Sequence, residues 1–399
     1  MPTGLYLPED PDYTVVDSVR DSVRFAHYCL EPSNHGKWAA RSSAVGPDGR
    51  PVAGHPLANL EGPGGEANAL GGALTLYRWA RFDQNHILEK VALGLLDHVL
   101  DDGFVTGDGP VRPWRDMETG KFRLNAAGEE GWFSPAEQAR IGLQMGWWAD
   151  ALPVADGRTE RLRGLAARLG EIVRNNLADK AEWLPARRSV RGDSEGTAGA
   201  EGLYAAWLFM ELAERGLGDW LEPGRELLDS FMRRGGIYGW EGDGDSSRGR
   251  ALVIRVLRRA AERYRDPSFG DFALREILPP LEARLLRADL SGLPTMGLVT
   301  AGPDPSVALM ADAAECSLAC QEASEASGDR NQLCEGVTML RAIARVHHLQ
   351  SEPHGFLAAG LELSNEPVAG VRADSVTSPL YSNLLHVNAA LHYLSRRVI

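Results

Sequence analysis

The chain has 399 residues, an apolar fraction of 44%, 44 glycines and 23 prolines, which is ordinary for a globular protein. No apolar run approaches the roughly 18 residues that a membrane span needs. A formal charge of −13 and a pI near 5.3 argue against nucleic acid or an anionic membrane as partner, because both call for clustered Lys and Arg. The opening MPTGLYLPEDPDY has neither the basic nor the apolar region of a signal peptide, so a cytoplasmic location is expected.

In chain order, amphipathic patterning and start signals predict helices at about 14–30, 64–83, 87–102, 134–152, 159–178, 196–215, 220–235, 246–265, 270–286, 305–327, 330–349 and 376–396. The stretches 31–63, 103–133 and 287–303 do not read as helix. They hold His35, Trp38, Trp114, Arg115, Trp132 and Phe133, a composition too aromatic for disorder, and so read as walls of a pocket. Cys29, Cys316, Cys320 and Cys334 form no disulfide framework and are expected as free thiols.

Acidic Gly-rich starts recur at Glu61-Gly62, Glu130-Gly131, Glu195-Gly196 and Glu241-Gly242, with weaker relatives at Asp304 and Asp374. The mean step is about 63 residues, the length of a loop plus two helices. The clearest internal match pairs EGPGGEANALGGALTLYRWARF, from Glu61, with EGTAGAEGLYAAWLFMELAERG, from Glu195. Helices opening each unit are rich in small residues (Ala67, Ala69, Gly71, Gly72, Ala73), as a crowded inner ring requires, and the following helices carry charged stripes. These features predict an all-α, single-domain (α/α)6 toroid of six helical hairpins over residues 1–399. The N-terminal helix, about 14–30, is expected to close the ring with the C-terminal helix, about 376–396.

Carboxylates crowd the expected loop rim, and glycoside hydrolysis needs two of them about 5 to 9.5 Å apart, one as acid and one as base or nucleophile. Glu130, beside Trp132, Asp193, beside Arg191, and Asp243, in the turn WEGDGDSSRGR, are the catalytic candidates. Trp38, Trp114, Trp132 and Trp240 are candidate platforms for a sugar ring. Arg248 and Arg372 are candidates to bind a substrate carboxylate through their bidentate fork. His35, Tyr381 and His386 offer a different chemistry, proton abstraction by a lyase or epimerase, and SNHGKW is similar to the Asn-His-x-x-Trp segment of alginate lyases. No HExxH, Walker, Rossmann or GxSxG motif is present, so neither a metal nor a cofactor is expected.

The loop-first hairpin repeat, the Gly- and Ala-rich inner helices and the Trp/acid rim resemble the six-hairpin glycosidase superfamily. That resemblance implies a carbohydrate-active enzyme. Within it, unsaturated glucuronyl hydrolases protonate a vinyl ether with a rim Asp, and N-acylglucosamine 2-epimerases use histidines. The leading expectation is a hydrolase acting on a small oligosaccharide, uronate-containing ones among them. A lyase or epimerase is the alternative, and a non-catalytic sugar-binding toroid the third.

Overall fold

The computed structural model describes residues 5–46, 48–177, 183–236, 245–289, 294–303, 307–349, 360–362, 372–374 and 377–397. Helices α1 (Val15–Tyr28), α2 (Ala69–Phe82), α3 (His86–Asp101), α4 (Pro135–Ala151), α5 (Arg158–Asn175), α6 (Leu203–Glu214), α7 (Leu221–Arg233) and α8 (Ser247–Tyr264) are followed by a broken helical stretch. That stretch comprises α9 (Pro267–Phe272), a π-helical turn (Ala273–Ile277) and α10 (Leu278–Glu282), after which come α11 (Met310–Ser327), α12 (Arg330–Leu349) and α13 (Ser382–Arg397).

Helices α2, α4, α6, α8, α11 and α13 each touch the next, and α13 returns to α2, so the six form a closed inner ring. Outside them, α3, α5, α7, the α9–α10 stretch and α12 pack each on the inner helix before it. The sixth pair joins the chain ends, with α1 lying against α13 and α12. The fold is therefore an all-α (α/α)6 toroid in one domain.

Close approach in the inner ring depends on small residues. A Cβ on Gly72 would sit 2.3 Å from the Leu380 carbonyl oxygen, and one on Gly142 would meet Leu169 and Leu208 at 3.1 Å. The core between the rings is apolar and continuous, with Trp148 fully buried and its indole N–H donating to the Leu70 carbonyl at 2.9 Å. Truncating such a side chain to Ala costs about 3–5 kcal/mol.

The stretches 31–63 and 103–133 are built from short strands rather than open loop. Strands β1 (Leu30–Pro32) and β2 (Trp38–Ala40) pair antiparallel. β3 (Leu60–Glu61), β4 (Trp114–Asp116) and β5 (Phe122–Arg123) make one three-stranded sheet, and β6 (Trp132–Phe133), β7 (Arg187–Ser189) and β8 (Ser194–Glu195) another. A third sheet holds β9 (Val307–Ala308), β10 (Gly360–Glu362) and β11 (Arg372–Asp374). Of the Glu-Gly repeat, Glu61 and Glu195 end strands β3 and β8, Glu130-Gly131 stands just ahead of β6, and Glu241-Gly242 lies outside the described residues; both α2 and α6 start eight residues after their Glu, at Ala69 and Leu203. Among the described residues, no helix is long and apolar enough to cross a membrane. Cys29, Cys316 and Cys320 are buried free thiols, and Cys334 is a half-buried one.

Candidate active site

The N-terminal ends of the inner helices and the sheets above them enclose a cavity of about 630 Å3. Its wall is laid down from α4 outward. The Ser134 hydroxyl caps α4 by accepting the Glu137 N–H at 3.3 Å, which leaves the Glu137 side chain free to turn into the cavity. There its Oε1 accepts the Gly65 N–H at 2.8 Å. One turn further on, the Arg140 guanidinium donates to the carbonyls of Gly65 at 2.9 Å and Pro63 at 3.2 Å. The two side chains clamp the Gly-rich turn ahead of α2. Trp114 covers that turn so closely that a Cβ on Gly65 would lie 2.7 Å from its ring, and Gly65 has φ of +32°. Only glycine meets both demands.

Burial pushes the Glu137 carboxyl above its ordinary 4.5, although Arg140, the Gly65 N–H and the Trp114 side chain pull the other way. Glu66 and Glu201 stand exposed on the same wall, the latter accepting the Gly199 N–H at 2.9 Å. Across from them, Arg248 donates to the Tyr381 hydroxyl at 2.5 Å and lies 3.9 Å from Asp312. Burial raises the Asp312 carboxyl to about 6, Arg248 opposing and Glu315 and Glu66 adding to the rise.

Beneath, the ring encloses a second cavity of about 510 Å3, lined by charged residues of the inner helices. Ion pairs line this bore: Arg255 with Glu315 at 3.2 Å and Glu322 at 3.1 Å, and Arg215 with Glu211 at 2.8 Å and with Asp150. Arg140, Tyr204, Glu315 and Tyr381 line both cavities and mark their junction.

Of the residues singled out in the sequence, Trp114, Arg248 and Tyr381 meet on the upper cavity. Glu130 and Asp193 do not line either cavity: Glu130 is exposed ahead of β6, and Asp193 is exposed in the β7–β8 turn, accepting the Ser189 hydroxyl at 2.9 Å. Trp132 stands beneath the Arg187 guanidinium, 5.5 Å from its ring centre, and Trp38 packs against His27 and Gly94. His35 sits exposed in a tight turn with φ of 59°. His386 is buried on the outer side of α13, its Nε2 2.8 Å from the Ser18 hydroxyl of α1. Asp243 and Trp240 lie outside the described residues, as does the side chain of Arg372. Sequence reasoning passed over Glu137, Arg140, Glu201, Tyr204 and Glu315. One signal pointed to two wall acids, since each half of the internal match carries a second Glu, Glu66 and Glu201, just inside its Gly-rich turn. Among the described residues, no group of three or more His, Cys, Asp or Glu side chains is placed to hold a metal ion.

This architecture, the (α/α)6 toroid, is shared with several solved structures. Among solved structures, a cellobiose 2-epimerase from Bacillus thermoamylovorans superposes with a TM-score of 0.69 at 11% identity, over 96% of this chain and 99% of that one. A D-mannose isomerase gives 0.64 at 10%, over 96% and 97%. A glycoside hydrolase family 76 mannosidase from Bacteroides thetaiotaomicron gives 0.64 at 10%, over 96% and 100%. No protein-family model and no curated protein matches the chain.

Proposed function

We propose that the protein is a carbohydrate-active enzyme, a glycoside hydrolase that cleaves a small oligosaccharide in the upper cavity. Glu137 serves as the protonated acid and Glu66 or Glu201 as the second carboxylate. The observation that carries this reading is the Glu137 carboxyl, raised by burial, facing a sugar-sized cavity beside Trp114. A carboxyl raised above its ordinary range is what protonation of a glycosidic oxygen requires. Cavities of about 300–1,000 Å3 are the usual size of small-molecule sites.

The epimerase reading has the isomerase and epimerase folds above in its favour, together with Tyr381 on the cavity wall. Burial raises the Tyr381 phenol above its ordinary 10, which makes it a weak base at neutral pH, and His35 and His386 lie away from the cavity. Hydrolysis is therefore the better supported chemistry. Incubation with neutral and uronate oligosaccharides, read by mass spectrometry, tests it. Products heavier by one water in total support hydrolysis. Deuterium uptake from solvent without a change in composition would instead establish epimerisation.

A further inference from the structure

We propose that the sugar bound in the upper cavity carries an anionic group, seated on Arg140 and Arg248 between the hydroxyls of Tyr204 and Tyr381. This rests on the reading of that cavity as a sugar site and names the substrate class it takes.

Arg140 is held rigidly, but by two neutral backbone carbonyls, and among the described residues no carboxylate comes within ion-pairing distance of it. Its neighbour one turn back, Glu137, turns instead to the Gly65 N–H, which its Oε1 accepts at 2.8 Å. Arg248 is oriented by the Tyr381 hydroxyl, and its nearest carboxylate, Asp312, stands 3.9 Å away. Glu315, the acid at the junction of the cavities, is already satisfied by Arg255 at 3.2 Å. The junction therefore holds two fixed guanidinium groups, Arg140 with no carboxylate within ion-pairing distance among the described residues and Arg248 with Asp312 only at the edge of that distance.

The tyrosines complete an anion seat. Burial keeps both phenols protonated at neutral pH. The Tyr381 oxygen accepts from Arg248, which leaves its O–H to donate into the cavity. The Tyr204 hydroxyl makes no hydrogen bond within the described structure, and its side chain lines both cavities. Guanidinium and hydroxyl donors converging on one anion give charge-assisted bonds, roughly twice as strong as neutral ones. Glu66 and Glu201, exposed on the wall, repel an anion left at their level, so the bound sugar directs its charged end toward the junction and its neutral body toward Glu137 and Trp114.

A uronate carboxylate and a sugar phosphate share this chemistry, and the test separates them. Binding of glucuronate, glucose 6-phosphate and glucose to the full chain is measured by calorimetry at low ionic strength. One of the two anionic sugars is expected to bind about tenfold more tightly than glucose, a difference of about 1.4 kcal/mol. The preferred anion identifies carboxylate or phosphate as the natural group. Arg140→Met and Arg248→Met are each expected to bring the ratio down to about twofold or less, and Arg140→Lys to retain part of it. Arg248 is half-exposed, so its variant remains informative if Arg140→Met fails to fold. Equal binding of all three sugars, or a preference untouched by both Met variants, would overturn the inference and leave the sugar-site reading standing. Failure of all three to bind to folded protein would overturn both.

Discussion

Glu137 is set apart by its surroundings rather than by its place in the sequence. In Ser134-Pro135-Ala136-Glu137 it reads as a first-turn acid of the kind that opens many helices, and the capping bond to Ser134 is indeed formed. What the sequence does not display is the burial against Trp114 and the Gly65 turn, because those partners lie 23 and 72 residues upstream. Glu130 attracts attention through Trp132 two residues on, yet Glu130 is exposed ahead of β6 while Trp132 packs beneath the Arg187 guanidinium. The raised Glu137 carboxyl sets the sign of a pH effect. The working form is protonated, so activity falls as pH rises through a value above 4.5. The alkaline limb of the kcat/KM profile is expected to belong to this group, and Glu137→Asp, which shortens the side chain and weakens its burial, to move that limb toward acid. An unmoved limb would assign it to another residue.

At the scale of elements, the helices were legible because their apolar stripes repeat over several turns, whereas strands of two or three residues carry no periodicity to read. Expected starts such as 64 and 196 precede the observed Ala69 and Leu203 because the Gly-rich turns, bent by positive φ at Gly62, Gly65 and Gly196, delay the helix. Histidine roles were illegible for the same reason as Glu137: they depend on contacts between elements. His98 of α3 is buried between Glu61 of β3, 3.3 Å away, and Asp102, 2.7 Å away. Burial opposes its charge, but bonds to the two carboxylates win and raise its pKa above 6.5. The stability this contributes is complete below pH 6.5 and is lost as pH rises through the higher folded value. His98→Gln is therefore expected to lower the melting temperature at pH 6 and to flatten its decline on the alkaline side, as followed by circular dichroism.

His347 and His386 behave in the opposite sense. Each faces a serine of α1, Ser22 at 3.2 Å and Ser18 at 2.8 Å, and burial lowers both, His386 to about 3. The unfolded chain then binds more protons below pH 6.5, so the seam between α1 and the last hairpin weakens as the solution is acidified from that point. His386→Leu is expected to remove part of the stability loss between pH 6.5 and 4. A variant as acid-sensitive as the wild type would show that other groups govern the effect.

For the molecule as a whole, the six-hairpin count and the pairing of chain ends follow from arithmetic available in the sequence: five complete hairpins plus one unpartnered helix at each end. The site was only partly legible. Trp114, Arg248 and Tyr381 come together on the cavity, while Glu130 and Asp193, chosen from loop positions, line neither cavity and Asp243 lies outside the described residues. The closed ring also predicts cooperative behaviour. Removing residues 1–28 takes away α1, with its buried Val15, Val19, Val23 and Phe25, from α13 and α12 and leaves His386 and His347 without Ser18 and Ser22. The truncated chain is expected to lose its cooperative thermal transition, since apolar surface worth about 25 cal/mol per Å2 would be returned to water. A sharp transition within a few degrees of the full chain would show that five hairpins suffice.

The central claim is that chemistry occurs in the upper cavity and runs through Glu137. Its most direct test is the turnover of wild type, Glu137→Gln, Glu130→Gln and Asp193→Asn, side by side, on whichever oligosaccharide the mass-spectrometric panel shows to be cleaved. A loss of at least about a hundredfold is expected in Glu137→Gln, with correct folding, and little change in the other two. Wild-type turnover in Glu137→Gln, or a loss of that size in Glu130→Gln or Asp193→Asn instead, would contradict the claim and return the reaction to the outer rim.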